Sequence, residues 1–210
     1  MRYEPEHKAN IHKRIVEDAA RRFRSEGFSG ASVATIMHGT GLTHGGFYKH
    51  FPSKNDLLAE SIGESFQQTA SWLVEVGEKA TAVSAWKAIV TAYLSFKHCD
   101  HPETGCPLAA LGTELARSEK DVKTRISAAM VNYKDQLVRF MPGRRVADRE
   151  RAFFAIFSTM IGAIALARMM PVTAMRQQVL DVAKQFLLES FTKRPRRRAA
   201  TYSEPHTSPS

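Results

Sequence analysis

The residues best suited to chemistry lie in one short run, THGGFYKH, at positions 43–50. Hydroxyl, imidazole, phenol and ammonium groups surround two glycines here. Such groups hydrogen-bond phosphate oxygens and base edges, and the N–H groups at the start of a helix attract phosphate. The run predicts a nucleic-acid contact surface. With polar residues on either side, the candidate set is Ser32, Thr43, His44, Gly45, Gly46, Tyr48, Lys49, His50 and Lys54.

Two short helices joined by a glycine turn are predicted to position this surface. Ser32 is a favoured N-cap before an apolar helical face, and Gly41 stands where helices commonly end through a left-handed residue. Thr43 is again a capping residue, and Phe47 and Phe51 are spaced to face inward together. This is the outline of a helix-turn-helix, although a plain helical hairpin inside a core has the same outline.

Further markers surround the motif between residues 15 and 58. They are Ile15, Ala19, Phe23, Gly27, Phe28, Val33, Ile36, Gly41, Gly45, Phe47, Tyr48, Phe51, Lys54 and Leu57. In this order they resemble the DNA-binding domain of the TetR family of transcriptional repressors. Family members typically have Ala where Gly39 stands here and a non-glycine residue where Gly46 stands. The resemblance covers about the first quarter of the chain.

The resemblance implies an all-α fold with two domains. An N-terminal three-helix helix-turn-helix domain would occupy residues 1–54, and a C-terminal helical ligand-binding and dimerisation domain would occupy residues 55–191. It also implies a repressor that binds a palindromic operator on double-stranded DNA as a homodimer and is released by a small-molecule ligand. No enzyme activity and no cofactor are expected, because no phosphate loop or catalytic constellation is recognisable.

Positive charge is concentrated at the two ends of the chain. The formal net charge of +9 divides into +4 for residues 1–54, +1 for residues 55–191 and +4 for residues 192–210. Only the ends are therefore built to meet a polyanion. The composition of residues 192–210 predicts a disordered basic tail. This tail and the two recognition glycines also fit a second hypothesis, a non-specific architectural DNA-binding protein.

Nothing in the sequence indicates export or membrane insertion. The charged start lacks the apolar core of a signal peptide, and two cysteines form no disulfide framework. The most apolar stretch, residues 152–167, is shorter than the roughly 20 residues that a bilayer requires and is flanked by arginines. A cytoplasmic, nucleoid-associated location and no membrane partner are expected.

Two long helices frame the motif. The first is predicted over residues 9–26, ended by Gly27, with Arg24 and other arginines on its surface. The second is predicted over residues 55–78, with Ser53 as its N-cap. A cation such as Lys54 opposes the dipole at a helix N-terminus, so a nearby phosphate explains it better than helix stability does.

A cluster of four thiol and imidazole residues follows a helix predicted over residues 83–98. It consists of His98, Cys99, His101 and Cys106. Their spacing matches no paired-ligand pattern, so no metal site is predicted. A thiol-based redox or electrophile sensor at Cys99 or Cys106 stays open as an alternative, because nearby imidazoles can favour a thiolate. An ordinary polar loop is the third reading.

The last two helices are predicted to form a dimer interface. A helix over residues 146–170 is apolar nearly all round and must be buried on more than one side. We expect it to pair, together with the helix over residues 172–191, with the same two helices of a second copy. Close packing would use the small residues Gly162, Ala163, Ala165 and Ala167.

The effector pocket implied by the family should lie inside the second domain, which also includes a helix predicted over residues 119–140. Its candidate lining residues are Trp86, Tyr93, Cys106, Met130, Tyr133, Phe157 and Met160. Aromatic and methionine residues at helical spacing are also what a plain core contains. Because these helices carry few charges, an apolar or aromatic effector is expected.

Overall fold

The computed structural model describes residues 5–192, and that range contains helices and no β-strand, which confirms the all-α prediction. The α-helices are α1 (Pro5–Gly30), α2 (Val33–Gly39), α3 (Lys54–Lys79), α4 (Ala85–Tyr93), α5 (Phe96–Asp100), α6 (Pro107–Leu115), α7 (Lys120–Leu137), α8 (Val146–Met169) and α9 (Thr173–Thr192). Three 3-10 helices span His44–Lys49, Pro102–Thr104 and Val138–Phe140. Of the predicted basic tail, only Thr192, at the end of α9, belongs to the described residues.

Helix α1 is interrupted by the glycine that was predicted to end it. Gly27 has φ 77° and ψ 168°, a conformation that side-chain-bearing residues rarely adopt. The break turns Phe28 back onto the helix, where its ring lies 5.7 Å from the ring of Phe23. The N–H group of Phe28 donates to Glu114 Oε2 of α6 at 2.9 Å. The kink therefore docks the first helix onto the second half of the chain.

Helix α3 connects the helix-turn-helix to the rest of the molecule. Ser53 caps it as predicted: its Oγ accepts from the N–H of Asp56 at 3.1 Å and donates to Asp56 Oδ2 at 2.7 Å. The helix packs against α1 on one side and α7 on the other. Helix α3 therefore contacts both the first helix of the helix-turn-helix region and a helix of the second half of the chain.

The single helix predicted over residues 83–98 is two helices. Helix α4 ends at Tyr93, and Leu94 leaves the helical conformation with ψ 57°. Ser95 then starts α5, because its hydroxyl accepts from the N–H of His98 at 3.3 Å and donates to the carbonyl of Ala92 at 2.7 Å. Local capping by Ser95 thus competes with continuation of the helix.

Helices α8 and α9 pack against each other and leave one apolar face uncovered. Its large exposed residues are Phe154, Leu166, Met169, Met175, Val182 and Phe186. Gly162 and Ala165 are exposed as well, as the dimer prediction requires. Ala163, 8% exposed, lines the groove between α8 and α9, whereas Ala167 is 0% exposed and packs within its own subunit, so the expectation for Ala167 was wrong.

Helix α8 is also the one helix in the described range that is long and apolar enough to cross a membrane. Its most apolar window is 44% buried within the molecule. The buried residues pack against α9 and α6, as those of a central helix in a bundle do. Length and composition alone therefore do not mark α8 as a membrane span.

Candidate nucleic-acid interface

The turn between α2 and the 3-10 helix His44–Lys49 is built by local hydrogen bonds. Ser32 Oγ accepts from the N–H of Thr35 at 3.0 Å and caps α2 as predicted. Gly41, with φ 77°, reverses the chain, and the N–H of Leu42 donates to the carbonyl of Met37 at 2.9 Å. These bonds fix the angle at which the second helix leaves the first.

Thr43 stands at the N-cap position of the second helix, as predicted, but not through its hydroxyl. Its backbone is extended, but its side chain makes no capping hydrogen bond. The N–H of Gly46 instead donates to the backbone carbonyl of Thr43 at 3.0 Å, which closes a 3-10 turn without the hydroxyl. The Thr43 side chain is exposed next to the helix.

The 3-10 helix His44–Lys49, called the recognition segment below, packs against the core through two buried phenylalanines. Phe47 and Phe51 are each 1% exposed, and their rings stack at 5.5 Å. Their burial turns the rest of the segment outward, as predicted. Tyr48 is 67% exposed, and the other exposed residues are His44, Gly45 and Lys49.

The two glycines of the recognition segment have different surroundings. A Cβ on Gly45 would meet nothing within 4 Å, so its bare backbone faces open space. A Cβ on Gly46 would lie 3.6 Å from Met37 Cε, so this glycine packs against α2. Only Gly45 therefore offers unobstructed backbone to a ligand.

Gly39, where the family usually has alanine, makes room for an ion pair. Arg22 Nε donates to Asp18 Oδ2 at 2.7 Å, and a Cβ on Gly39 would lie 3.0 Å from Arg22 Nη2 and 3.1 Å from Asp18 Oδ2. An alanine would push this pair aside. The departure from the family pattern thus has a local steric cause.

His50 lies at the edge of the recognition segment beside a second imidazole. Its Nδ1 is buried and has no hydrogen-bond partner among the described residues. His12, whose ring stacks on Phe51 at 4.4 Å, bonds Glu60 Oε2 through Nε2 at 2.7 Å and lies 6.0 Å from the His50 ring. Burial is the main reason that the pKa of His50 is lowered, and the charges of the nearby Lys8 and Lys49 act in the same direction. This side chain therefore serves as a neutral hydrogen-bonding group.

A cleft of about 560 Å³ separates the start of α1 from the recognition segment. It is lined by Lys8, Ile11, Leu42, Thr43, Gly46, Lys49 and His50. Two ammonium groups and a hydroxyl thus border a concave surface next to the exposed Tyr48. Such an arrangement suits a phosphate backbone that passes between the two helices.

Lys54 has a partner within the chain. Its ammonium group donates to the carbonyl of Phe28 and lies 4.3 Å from the centre of the Phe28 ring. Burial lowers the pKa of Lys54, and Glu114 opposes this effect. A cation at this helix N-terminus is therefore accounted for without a phosphate, and the phosphate contact stays a prediction.

The predicted effector-pocket residues partly converge in the core of the second domain. The ring of Phe157 lies 6.1 Å from that of Tyr93 and 5.5 Å from that of Tyr133. Both tyrosine hydroxyls are buried without a hydrogen-bond partner in the described part of the chain. Burial raises the pKa values of both phenols and of the fully buried Cys106 thiol.

The other candidates for the effector pocket are placed differently. Met160 is fully buried, whereas Met130 is only partly buried against the core. Trp86 lies two turns from Tyr93 along α4 and packs against Phe191, with 6.1 Å between the rings. Trp86 thus belongs to the contact between α4 and α9 rather than to the tyrosine cluster.

The thiol and imidazole cluster does not form a metal centre. Between residues 5 and 192, no three His, Cys, Asp or Glu side chains are gathered so that they could hold a metal ion. His98 is 5% exposed: its Nδ1 donates to the carbonyl of Tyr93 at 2.8 Å, and its Nε2 accepts from the N–H of Cys106 at 3.0 Å. His101 instead pairs with Glu103 at 2.9 Å.

Sequence reasoning placed Arg24 on the surface, and this was wrong. Arg24 is 4% exposed, and its guanidinium group donates to three oxygens of the protein. No sequence signal distinguishes it from the neighbouring Arg21, which is exposed and pairs with Asp18. The role of Arg24 depends on residues far away in the sequence.

Comparison with known proteins agrees with this architecture. Residues 15–61 match the sequence model of the family described as bacterial regulatory proteins, tetR family. No curated protein matches the chain. A TetR-family transcriptional regulator from Cytophaga hutchinsonii is 20% identical, with a TM-score of 0.71 over 91% of this chain and 100% of that one.

Two other solved structures share the fold. A TetR transcriptional regulator from Chloroflexus aurantiacus J-10-FL is 22% identical, with a TM-score of 0.69 over 90% of this chain and 97% of that one. A fatty acid degradation regulator from Bacillus halodurans is 18% identical, with a TM-score of 0.64 over 92% and 100%. The comparisons lead to one conclusion: residues 15–61 match the tetR family of bacterial regulatory proteins, and the chain shares the fold of solved TetR-type regulators.

Proposed function

We propose that this chain is a DNA-binding transcriptional regulator of the TetR type, a repressor that binds a palindromic operator as a homodimer and is released by an apolar or aromatic small molecule. The observation that carries the proposal is the recognition segment, whose polar side chains face outward because Phe47 and Phe51 are buried beneath them. The boundary between the two domains is proposed near residue 54, at the start of α3, and the regulator is expected to act on DNA in the cytoplasm.

Base recognition is assigned to the exposed side chains of Thr43, His44 and Lys49. Their hydroxyl, imidazole and ammonium groups can hydrogen-bond base edges in the major groove. Tyr48, the bare backbone of Gly45 and His50 are assigned to phosphate contacts that set the register. Ser32 can also reach a phosphate through its exposed position, although its hydroxyl already caps α2.

The dimer is supported by the uncovered face of α8 and α9. A groove of about 590 Å³ runs between the two helices, and the residues that line it are almost all apolar or small. A second copy would place the same face against itself, as two-fold symmetry requires, and would bury Leu166 and Phe186. Two recognition segments related by this axis would read two half-sites about one helical turn, or a multiple, apart.

The effector site is proposed around the hydroxyls of Tyr93 and Tyr133. A buried hydroxyl without a partner is unfavourable by about 1–3 kcal/mol, so Tyr133 favours a ligand that supplies a hydrogen bond, whereas the Tyr93 hydroxyl lies against the Cys106 thiol. The surrounding rings of Phe157 and Phe153, stacked at 4.3 Å, favour an aromatic or apolar body. A cavity of about 150 Å³ between α3 and α7 is lined by Tyr133 and by Phe66, whose ring lies 5.3 Å from that of Tyr133.

The decisive experiment selects bound duplexes from a random pool at physiological salt, so that plain phosphate attraction is muted. Enrichment of one imperfect palindrome supports the proposal. His44→Ala and Lys49→Ala should then change the preferred sequence. Binding without any enrichment would instead support the architectural hypothesis, and unchanged preference in both variants would contradict the assignment of the recognition segment.

A thiol-based trigger is the second candidate, and one contact favours it. Arg176 Nη2 lies 3.4 Å from Cys99 Sγ, and a guanidinium group stabilises a thiolate. Both thiols are buried, with Cys99 1% and Cys106 0% exposed, so the contact with Arg176 is what distinguishes Cys99. If Cys99 is the sensor, hydrogen peroxide should release the selected operator from the wild type and not from Cys99→Ser. Equal release from both would exclude this trigger.

A further inference from the structure

One buried arginine connects the DNA-binding domain to the loop between α5 and α6. Arg24, on α1, donates through Nε to the carbonyl of Ala20, through Nη1 to the carbonyl of Gly105 and through Nη2 to Gln68 Oε1, each at 2.9 Å. Burial lowers the pKa of Arg24 to about 10, so the group stays charged at neutral pH. A buried charge of this kind is stable only while its partners stay in place.

The peptide group between Gly105 and Cys106 accepts a hydrogen bond from Arg24 and donates one to His98. Gly105 supplies the carbonyl, and the N–H of the same peptide unit, on Cys106, donates to His98 Nε2 at 3.0 Å. A Cβ on Gly105 would lie only 2.7 Å from His98 Nε2, so glycine is needed for this close approach. His98 in turn donates to the carbonyl of Tyr93, the residue at the end of α4.

The same helix α5 is tied to α8. Arg168 of α8 donates through Nε to the carbonyl of Cys99 at 3.0 Å and through Nη2 to the carbonyl of His98 at 3.1 Å. Arg168 is partly buried, and burial lowers its pKa. A continuous series of polar contacts therefore runs from α8 through α5 and the Gly105–Cys106 peptide to α1.

We propose that this series, called the arginine relay below, fixes the orientation of the DNA-binding domain relative to the dimerisation helix α8 and thereby sets the half-site spacing that the dimer accepts. Arg24 acts in it as a positioning residue that does not touch DNA. The inference rests on the proposed palindromic, dimeric function. It adds to that function the residues that determine the distance between the two recognition segments.

Arg24 adds directional contacts to the packing between the two domains. Helix α3 joins the domains covalently, α1 packs against α3 and α6, and the N–H of Phe28 bonds Glu114 of α6. The guanidinium of Arg24 bonds Gln68 of α3 and the carbonyl of Gly105, in the loop before α6, at the same time. Because hydrogen bonds require narrow angles, these contacts restrict how α1 can rotate against the second domain.

The test measures how strongly binding depends on half-site spacing. Affinities of the wild type and Arg24→Met would be measured on the selected palindrome, on an isolated half-site, and on palindromes with one base pair inserted or removed at the centre. For Arg24→Met we expect about a tenfold loss on the palindrome, in the range of known coupling energies, and an unchanged half-site affinity. The ratio between the affinity for the selected palindrome and the affinity for palindromes of altered spacing should be smaller for Arg24→Met than for the wild type.

Arg21→Met is the matched control, because it removes the same charge from the same helix and Arg21 bonds only Asp18. It should keep the strict spacing dependence of the wild type. His98→Gln, which cuts the relay on the other side of the same peptide, should reproduce Arg24→Met, and the double variant should add little. If Arg24→Met does not fold, Gln68→Met is the substitute. It removes one hydrogen-bond acceptor of Arg24 and leaves the arginine itself in place.

The outcomes separate the two proposals. A wild type that selects no paired half-sites refutes the dimeric palindromic function. A wild type with strict spacing, together with relay variants that keep the same strictness, refutes the relay alone. A loss on the isolated half-site as large as the loss on the palindrome would also refute it, since Arg24 would then act on DNA contacts themselves.

Discussion

Acidification should destabilise this protein through the buried imidazole of His98. The ring is 5% exposed, donates to one carbonyl and accepts from one amide N–H, so both nitrogens are satisfied only in the neutral form. Burial is the main reason that its pKa falls to about 4, and the nearby Arg168 charge lowers it further, against the effect of the Tyr93 carbonyl. An exposed histidine has a pKa of about 6.5.

The sign and size of the effect follow from these two values. As the pH falls below about 6.5, the unfolded chain binds a proton while the folded protein stays neutral until about pH 4. The contribution of His98 to the unfolding free energy is therefore fully present above about pH 6.5, and it is lost as the pH falls from about 6.5 to about 4. The loss from His98 is about 2 kcal/mol at pH 5 and approaches about 3 kcal/mol below pH 4.

The assay is urea unfolding of the wild type and of His98→Gln at pH 8 and pH 5. Glutamine is neutral at both pH values, so the difference in unfolding free energy between the two proteins isolates the imidazole. We expect this difference to narrow by about 2 kcal/mol at pH 5. His38→Gln, at an exposed position on α2, controls for the loss of one histidine. A difference that is the same at both pH values would refute the reasoning.

Three further predictions concern other parts of the molecule. Lys54→Met should lower the unfolding free energy by about 2 kcal/mol through the lost bond to the Phe28 carbonyl, whereas Lys49→Met should leave stability unchanged, because Lys49 is exposed; equal stabilities of the two variants in urea would contradict this. Phe186→Asp should convert the dimer to monomers in analytical ultracentrifugation and Val83→Asp, at an exposed site off the interface, should not; a dimeric Phe186→Asp would reject the interface. Tyr133→Phe should raise the melting temperature of the ligand-free protein, because it removes a buried hydroxyl without a partner; a lower melting temperature would show that the hydroxyl has one.

The helix-turn-helix could be predicted from the sequence because its determinants are local. Ser32 and Ser53 cap helices through N–H groups three residues away, and Gly41 makes its turn with its nearest neighbours. The buried pair Phe47 and Phe51 is spaced by one helical turn. Each of these interactions is complete within a few residues, so the pattern of residue types alone identifies it.

Local signals also failed where two of them competed. Thr43 has the residue type and the backbone conformation of a cap, yet its hydroxyl makes no capping bond. The N–H of Gly46 donates to the backbone carbonyl of Thr43 instead. Ser95 ended a helix that periodicity alone would continue. In both cases the hydrogen bond that wins depends on exact backbone geometry, which residue type does not specify.

The sequence by itself determined the all-α class, the helix-turn-helix and the outward polar segment, and it carried the resemblance to the TetR family. Only the tertiary structure decided which charged and polar residues are buried and what they hold. Arg24 bonds a carbonyl 81 residues away, and Arg168 bonds one 70 residues away. No local pattern encodes such partners, because a guanidinium or imidazole acquires its role from the groups that folding brings to it.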